Sequence, residues 1–596
     1  MVEVSVPVTI KIPEDANLTD AVFRNAAEHP DAVSFARKVS GSWQPISAKD
    51  FAEQVRSLAA GLIASGVQPG ERVGLMSATR FEWTLIDYAI WTAGAVTVPI
   101  YETSSAEQVQ WILSDSEATA VFLEGESHQK TFASVSASLP NVVRTWTIEG
   151  GGLEQLVEGG KSISSAEIDE RRRTLNAAST ATIIYTSGTT GRPKGCELTH
   201  RNFLFDATTT TEGLDELFGS DGSTLLFLPL AHVFARIIQV GCVENRVRMG
   251  HTHDIKNLMS DFALFKPTFI LSVPRVFEKV YNTAKQKAHA SGKGAIFDRA
   301  ERVAIAYSEG IERGGAGPLV RGQHALFDRL VYSKLREALG GRVEYAVSGG
   351  APLGTRLGHF FRGIGVTVLE GYGLTETTAG ATLNLPDAIK VGTVGRPIPG
   401  ASVRIADDGE ILLKGDNVFT GYWHNADATG EALADGWFRT GDLGELDSEG
   451  FLTITGRKKD LIVTAGGKNV APAVLEDRLR AHPLISQAMV VGDQRPFIAC
   501  LVTIDEEALP AWKSRNGKPE SATVSDLADD EALRAEIQGA IDEANKAVSR
   551  AEAIRTFRIL GVDFTEEGGQ LTPSLKVKRA VVTKEFAEDI EALYSR

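Results

Sequence analysis

The run Ile183-Ile-Tyr-Thr-Ser-Gly-Thr-Thr-Gly-Arg-Pro-Lys-Gly195 is built to hold phosphate. An apolar strand pattern leads into a loop with three glycines, the hydroxyls of Thr186, Ser187, Thr189 and Thr190, and the cation of Lys194. Glycines such as Gly188 and Gly191 let successive backbone N–H groups converge on one anion, hydroxyls add donors, and a lysine adds a mobile charge. The order is not that of a Walker A loop, since Lys194 lies between Pro193 and Gly195 instead of preceding Ser or Thr. A decoy at Gly160-Lys161-Ser162 also fails, because Gln155 stands where its first glycine belongs.

Five further segments follow: Ser348-Gly-Gly-Ala-Pro352, Glu370-Gly-Tyr-Gly-Leu-Thr-Glu376, Asp435-Gly-Trp-Phe-Arg-Thr-Gly-Asp442, Gly456-Arg-Lys-Lys-Asp460 and Leu571-Thr-Pro-Ser-Leu-Lys576. Together with the loop at 183–195, and in this order, they resemble the motifs of the adenylate-forming (AMP-binding) superfamily, from about residue 45 to 580. The resemblance implies ATP, a carboxylic acid and CoA as substrates, with Mg²⁺ as the metal. It implies that Thr186, Ser187, Gly188, Thr189, Thr190 and Gly191 cradle the nucleotide phosphates with Lys194. Gly349, Gly350 and Ala351 would line the base pocket beside Gly371, Tyr372 and Gly373, with Tyr372 stacked on adenine. Thr375 would donate to the α-phosphate, and Glu376, with Thr186 as a second candidate, would ligate the metal. Asp442 would accept from the ribose hydroxyls, supported by Arg457. Lys576 aligns with the adenylation lysine, and Lys578 is the competing assignment. Lys459 falls at the hinge, and Gly466 and Gly467 would border the CoA channel.

The chemistry makes sense of these parts. Joining a carboxylate to ATP brings one anion against another, so cations must already stand around the α-phosphate. A carboxylate such as Glu376 suits a hard cation held with phosphate oxygens.

Residues 435–459 resemble the signature of fatty acyl-CoA synthetases. The segment SVPRVFEKVYN at 272–282, with the helical excursion after it, resembles the long-chain branch. The ending Leu-Thr-Pro-Ser-Leu-Lys departs from the Thr-Gly-Lys form of many shorter-chain relatives. His232 and Val233, in the apolar run LPLAHVFARIIQVG, are expected to line the acyl pocket, although His232 suits a purely structural role as well. The implied enzyme is an acid–thiol ligase that forms long-chain acyl-AMP and passes the acyl group to CoA. Two alternatives stay open: a fatty acyl-AMP ligase serving a carrier protein, and a shorter-chain or aromatic carboxylate–CoA ligase. GRKKDLIVTAGGKNVAP runs on without the hinge insertion usual in the former.

Positioning such residues requires an α/β scaffold. Helix spacing over 48–65 and 82–93 alternates with strand patterns at 118–123, 181–186, 224–230, 267–274, 342–350 and 366–373, which predicts βαβ units and mostly parallel sheets. From about 391 to 456, short strands between Gly/Pro turns predict a small β-barrel-like subdomain. The expected division is an N-terminal region 1–456, with two α/β subdomains plus this β unit, and a smaller mobile α+β domain 457–596. Within 596 residues, 43% hydrophobic and 23% charged content permits a sizeable core. A net charge of −15 argues against general nucleic-acid binding. Cys196, Cys242 and Cys500 form neither a disulfide framework nor a zinc site and fit a reducing cytosol. The apolar stretch Thr84 to Ile100 is broken by Asp87 and Pro99, so no spanning helix is expected, leaving at most peripheral membrane contact.

Overall fold

The computed structural model describes residues 2–186, 192–572 and 575–595. Its largest sheet has seven strands, ordered Gly421–Tyr422, Lys194–Thr199, Thr180–Thr186, Val96–Ile100, Arg72–Met76, Ala120–Leu123 and Arg144–Thr147. The last five run parallel, as the βαβ pattern requires, because each parallel return needs a crossover. Helix Ala48–Ala64 starts where the Ser47 hydroxyl accepts from Asp50 N–H, and it buries Phe51, Val55, Leu58 and Leu62 at helical spacing.

The stretch Thr84 to Ile100 splits between helix Phe81–Thr92 and strand Val96–Ile100, and every residue of both is buried. Asp87, which reads in the sequence as an interruption, forms a fully buried ion pair with Arg236 of helix Val233–Asn245. Arg236 Nε donates at 2.9 Å and its Nη1 donates to Thr182 Oγ1 at 2.6 Å, while Thr97 Oγ1 donates to Asp87 Oδ1 at 2.7 Å. Every charge-bearing atom of the pair is thus satisfied, the condition under which a buried pair is tolerated. The pair locks helix Val233–Asn245 onto the first sheet.

A five-stranded sheet follows the order Phe269–Ser272, Tyr345–Ser348, Thr367–Tyr372, Thr382–Leu383 and Arg396–Pro397, with its first three strands parallel. A four-stranded sheet joins Ser223–Leu226, Arg248–His251, Val33–Val39 and Ser42–Ser47. The helical excursion after residue 272 comprises Pro274–Ala290, Gly294–Glu312 and Pro318–Phe327. The β-rich stretch near 391–456 forms an antiparallel sheet around Ser402–Ile405, Glu410–Lys414, Trp437–Leu446 and Leu452–Arg457. Its edge is strand Val2–Ser5, which pairs with Ser402–Ile405 from the far end of the chain.

Beyond residue 457, strands Ile485–Val491, Ile498–Ile504 and Ile554–Ile559 form a separate sheet with its own apolar core. Within the charged segment 505–551, helix Glu531–Asn545 buries Leu533, Ile537 and Ile541 against this core. Among the described residues no helix is long and apolar enough to cross a membrane.

Candidate active site

One continuous cleft of about 2980 Å³ runs along the C-terminal ends of the parallel strands and under the segment beyond 457. The ends of parallel strands are where α/β sheets leave a crevice for ligands. Thr186 and Lys194 face each other across a hairpin, Thr186 ending strand Thr180–Thr186 and Lys194 starting the antiparallel return. That return strand is not evident in the sequence. Ser187, Gly188, Thr189, Thr190 and Gly191 lie outside the described residues. The loop's exit is anchored by Trp111, whose Nε1–H donates to Pro193 O at 2.8 Å.

Thr375 and Glu376 sit in the 3₁₀ turn Thr375–Thr377 that follows strand Thr367–Tyr372. The next two residues are left-handed without being glycine: Thr378 has φ +55° and Ala379 has φ +92°. Such strain persists only where neighbours over-determine it. Here Thr378 Oγ1 donates to Asn417 O at 2.7 Å, Asn417 Nδ2 donates to Gly380 O at 2.6 Å, and Leu374 N–H donates to Thr377 Oγ1 at 2.9 Å. Gly373 is required, since a Cβ there would lie 1.7 Å from Ala379 O.

Tyr422 hydroxyl donates to Glu376 Oε1 at 2.8 Å, and Lys194 Nζ stands 4.6 Å from the centroid of the same ring. Cys196 Sγ lies 3.9 Å from Thr186 Oγ1 and is buried against Glu376, so burial and that carboxylate hold it a neutral thiol. Thr186, Lys194 and Glu376 are therefore brought together around Tyr422 and Cys196. Neither go-between is evident from sequence, because Gly421-Tyr422-Trp423 lies far along the chain and Cys196 carries no motif of its own. Among the described residues no group of three or more His, Cys, Asp or Glu could hold a metal. A single carboxylate with a hydroxyl is the sparse oxygen set that suits Mg²⁺ when nucleotide phosphates complete its shell.

Asp442 is buried and doubly held, accepting from Tyr372 hydroxyl at 2.7 Å and from Arg457 Nε at 2.8 Å. Gly349 closes against the Phe234 ring, 3.1 Å from where a Cβ would sit, while Gly350, at φ +81°, and Ala351 are exposed to the cleft. Gly371 packs on Leu383 of the adjoining strand. His232 caps helix Val233–Asn245, its Nδ1 accepting from Phe234 N–H at 3.2 Å. Burial, helped by the Lys576 charge, lowers its pKa to about 4, so the ring is neutral near pH 7.

Lys576 enters the cleft from the C-terminal segment. Desolvation and the Arg457 charge lower its pKa, against the opposing pull of Asp442. It thus interacts electrostatically with Arg457, Asp442 and His232 at once. Lys578 also lines the cleft. Lys459 lies exposed in the turn Lys458–Asp460, beside Arg457. Gly466 and Gly467 form an exposed hairpin turn, Gly467 at φ +75°, and neither lines the cleft in this arrangement.

Comparison with known proteins follows the same geometry. A sequence model described as AMP-binding enzyme matches residues 22–423, and one described as AMP-binding enzyme C-terminal domain matches 459–596. The long-chain-fatty-acid–CoA ligase FadD15 of Mycobacterium tuberculosis is 55% identical over 100% of both chains. The long-chain-fatty-acid–CoA ligase ACSBG2 of Xenopus laevis is 31% identical over 95% of this chain and 82% of its own. The anthranilate CoA ligase AuaEII, solved with anthranoyl-AMP, shares the fold at TM-score 0.72 and 20% identity, covering 98% of this chain and 99% of that one. The A domain of a carboxylic acid reductase from Segniliparus rugosus shares it at TM-score 0.74 and 21% identity, over 97% and 94%. The strained Thr375–Ala379 loop, the buried Asp442 held by Tyr372 and Arg457, and the lysine delivered from the C-terminal segment thus sit in a chain that belongs to the AMP-binding enzyme family.

Proposed function

We propose that this chain is a long-chain fatty acid–CoA ligase that first forms acyl-AMP and pyrophosphate and then acyl-CoA and AMP. In the first step a carboxylate oxygen bonds to the α-phosphorus of ATP as the bond to pyrophosphate breaks. In the second the CoA sulfur bonds to the acyl carbon, losing its proton, as AMP leaves. The observation that best supports this reading is the position of Lys576, where acyl helix and nucleotide residues meet. A cation about 4 Å from the developing charge contributes about 4 kcal/mol at an effective dielectric near 20. Thr375 donates to the α-phosphate, Lys194 and the loop through Gly191 bind the outer phosphates, and Asp442 takes the ribose hydroxyls. Tyr372 then serves the base pocket with its ring while its hydroxyl orients Asp442. Glu376, with Thr186, would hold Mg²⁺, which when bound neutralises phosphate charge. Neutral His232 shapes the entrance to the acyl pocket and adds no charge to it.

The two regions, 1–456 and 457–596, act as a body and a lid hinged at Lys459. Support comes from the polar character of contacts between them: Arg275 to Asp505 at 3.2 Å, Lys279 to Glu507 at 2.8 Å, and Thr103 to Glu566. Surface ion pairs of this kind contribute little and are readily exchanged. Rotation would withdraw Lys576 and present Gly466 and Gly467 to CoA, whose thin pantetheine arm needs close backbone approach. Peripheral membrane contact is supported by Leu319 and Leu326 of helix Pro318–Phe327 and Leu330 of the π turn Asp328–Tyr332 that continues it, which stand 73%, 56% and 50% exposed beside Arg321 and Arg329.

The test is a panel of C2 to C24 acids assayed for AMP release with and without CoA. AMP release that requires CoA and favours long chains supports the ligase. Adenylate that accumulates despite CoA would favour the acyl-AMP ligase instead.

A further inference from the structure

The turn that carries Thr375 and Glu376 is held from a side the mechanism above does not use, and the inference drawn from it rests on the reading of an acyl-activating enzyme. Helix His200–Glu212 follows directly on strand Lys194–Thr199, the return strand of the phosphate loop. A capping box fixes its first turn: Thr199 Oγ1 accepts from Asn202 N–H at 3.2 Å, and Asn202 Oδ1 accepts from Thr199 N–H at 2.8 Å. Asn202, Asp206 and Thr210 then recur at i, i+4 and i+8, which places them in one row along the helix.

The row meets the distant turn twice. Asn202 Nδ2 donates to Asp416 O at 2.7 Å and to Val418 O at 3.0 Å, gripping the segment whose Asn417 Nδ2 donates to Gly380 O at 2.6 Å. Asp206 Oδ2 accepts from Gly380 N–H at 2.9 Å, and its Oδ1 accepts from the Thr210 hydroxyl at 2.8 Å. Gly380 is therefore clamped at both its N–H and its carbonyl, directly after the left-handed pair Thr378 and Ala379. No side chain fits there, since a Cβ on Gly380 would lie 2.7 Å from Asp206 Oδ1. Glu376 is tied separately, its carbonyl accepting from Phe419 N–H at 2.8 Å and its carboxylate from Tyr422.

Asp206 is a costly residue for this place. It is 1% exposed, no cation among the described residues interacts with it, and burial pushes its pKa up to about 7. A buried carboxylate without a countercharge is destabilising, and asparagine would fill the same space. What the carboxylate adds is two oxygens that accept from Gly380 and Thr210, and a charge-assisted bond is the stronger kind. Without it the Gly380 N–H loses its acceptor and the strained turn loses a restraint.

We propose that Asp206 is a positioning residue for adenylation: through Gly380 it fixes the turn that aims Thr375 at the α-phosphate, in register with the phosphate loop that leads into its own helix.

The test uses the full chain with ATP, Mg²⁺ and a saturating long-chain acid, measuring pyrophosphate–ATP exchange. A misplacement of about an ångström costs about a hundredfold in rate. Asp206→Ala should therefore lower kcat about a hundredfold while the KM for ATP stays within about threefold. Asp206→Asn, whose carbonyl can accept from Gly380 and whose amide can donate to Thr210 Oγ1, should recover about tenfold of that loss. In a Thr375→Ala background Asp206→Ala should cost less than about threefold more, because both changes act on one contact, whereas independent sites would repeat the full loss. Should Asp206→Ala not melt cooperatively, Thr210→Val, which removes one donor to the carboxylate, carries the same comparison with a loss of about tenfold. The positioning role is overturned alone if the folded variant exchanges pyrophosphate as the parent does, if its defect lies in the KM for ATP only, or if its loss multiplies in full with that of Thr375→Ala. If the unmodified chain exchanges no pyrophosphate with any acid, the enzyme reading falls and the role with it.

Discussion

Replacing Tyr422 with phenylalanine isolates one hydrogen bond at the heart of the site. The ring that carries the Lys194 ammonium at 4.6 Å is kept, and only the hydroxyl that donates to Glu376 Oε1 at 2.8 Å is lost. A hydrogen bond to a charged group contributes about 1.5–3 kcal/mol. Both partners are half-buried, so water can compensate in part and the lower end of that range applies. The bond fixes one carboxylate oxygen and thereby aims the other, and removing such a supporting donor typically weakens metal binding by 10- to 100-fold. About 1.4 kcal/mol corresponds to a tenfold change. We therefore expect Tyr422→Phe to raise the Mg²⁺ concentration for half-maximal pyrophosphate–ATP exchange about tenfold, with the rate at saturating Mg²⁺ within about threefold of the parent. Tyr422→Leu, which also removes the ring beneath Lys194, should lower that saturated rate as well. An opposing effect exists, since a carboxylate freed of its donor is more basic and attracts a cation more strongly. Tighter or unchanged Mg²⁺ dependence in Tyr422→Phe, alongside weakened dependence in Glu376→Gln, would refute the orienting role.

Four further outcomes are expected. Lys576→Ala should slow adenylate formation by about three decades, with far less effect on CoA capture of preformed acyl-adenylate. Because desolvation and Arg457 lower the Lys576 pKa, the alkaline limb of adenylation should fall at a pH below the ordinary lysine range, and Arg457→Gln should move it upward. Lys459→Pro should spare pyrophosphate exchange while impairing thioester synthesis, because the exposed turn Lys458–Asp460 would no longer rotate. His200 is fully buried, accepts Leu18 N–H on Nδ1 at 3.2 Å, and has its pKa lowered by burial to about 3. An unfolded histidine titrates near 6.5, so the unfolded chain binds the extra proton and stability is lost as pH falls from 6.5 toward 3. Between pH 7.5 and 5 this amounts to about 2 kcal/mol, which denaturant titration of His200→Asn, retaining an acceptor for Leu18, should show removed.

Much of the candidate site was proposed from sequence because motif chemistry is local. Glycines, hydroxyls and a lysine within thirteen consecutive residues announce a phosphate loop whatever surrounds them. Helix Ala48–Ala64 and strand Thr367–Tyr372 follow from apolar spacing and flanking turn residues, which act over a few residues only. Strand Lys194–Thr199 escaped the sequence because its polar and small residues carry no apolar signal, and pairing with Thr180–Thr186 decides it. Gly466 and Gly467 read as channel residues and lie on the surface in this arrangement, since an exposed turn has no packing to fix which partner it meets.

The sequence by itself determined the ordered set of candidate site residues and the alternation of elements that makes an α/β fold. Only the tertiary structure decided which of them meet. Asp87 reads as a blemish in an apolar run until Arg236, 149 positions away, makes it a buried anchor. Tyr422 gains its meaning from Glu376, and strand Val2–Ser5 from Ser402–Ile405. The physical reason is range: backbone preferences and turn chemistry are set by neighbours in sequence. Ion pairs, hydrogen bonds and the depth of a crevice depend on distances that exist only once the chain has packed.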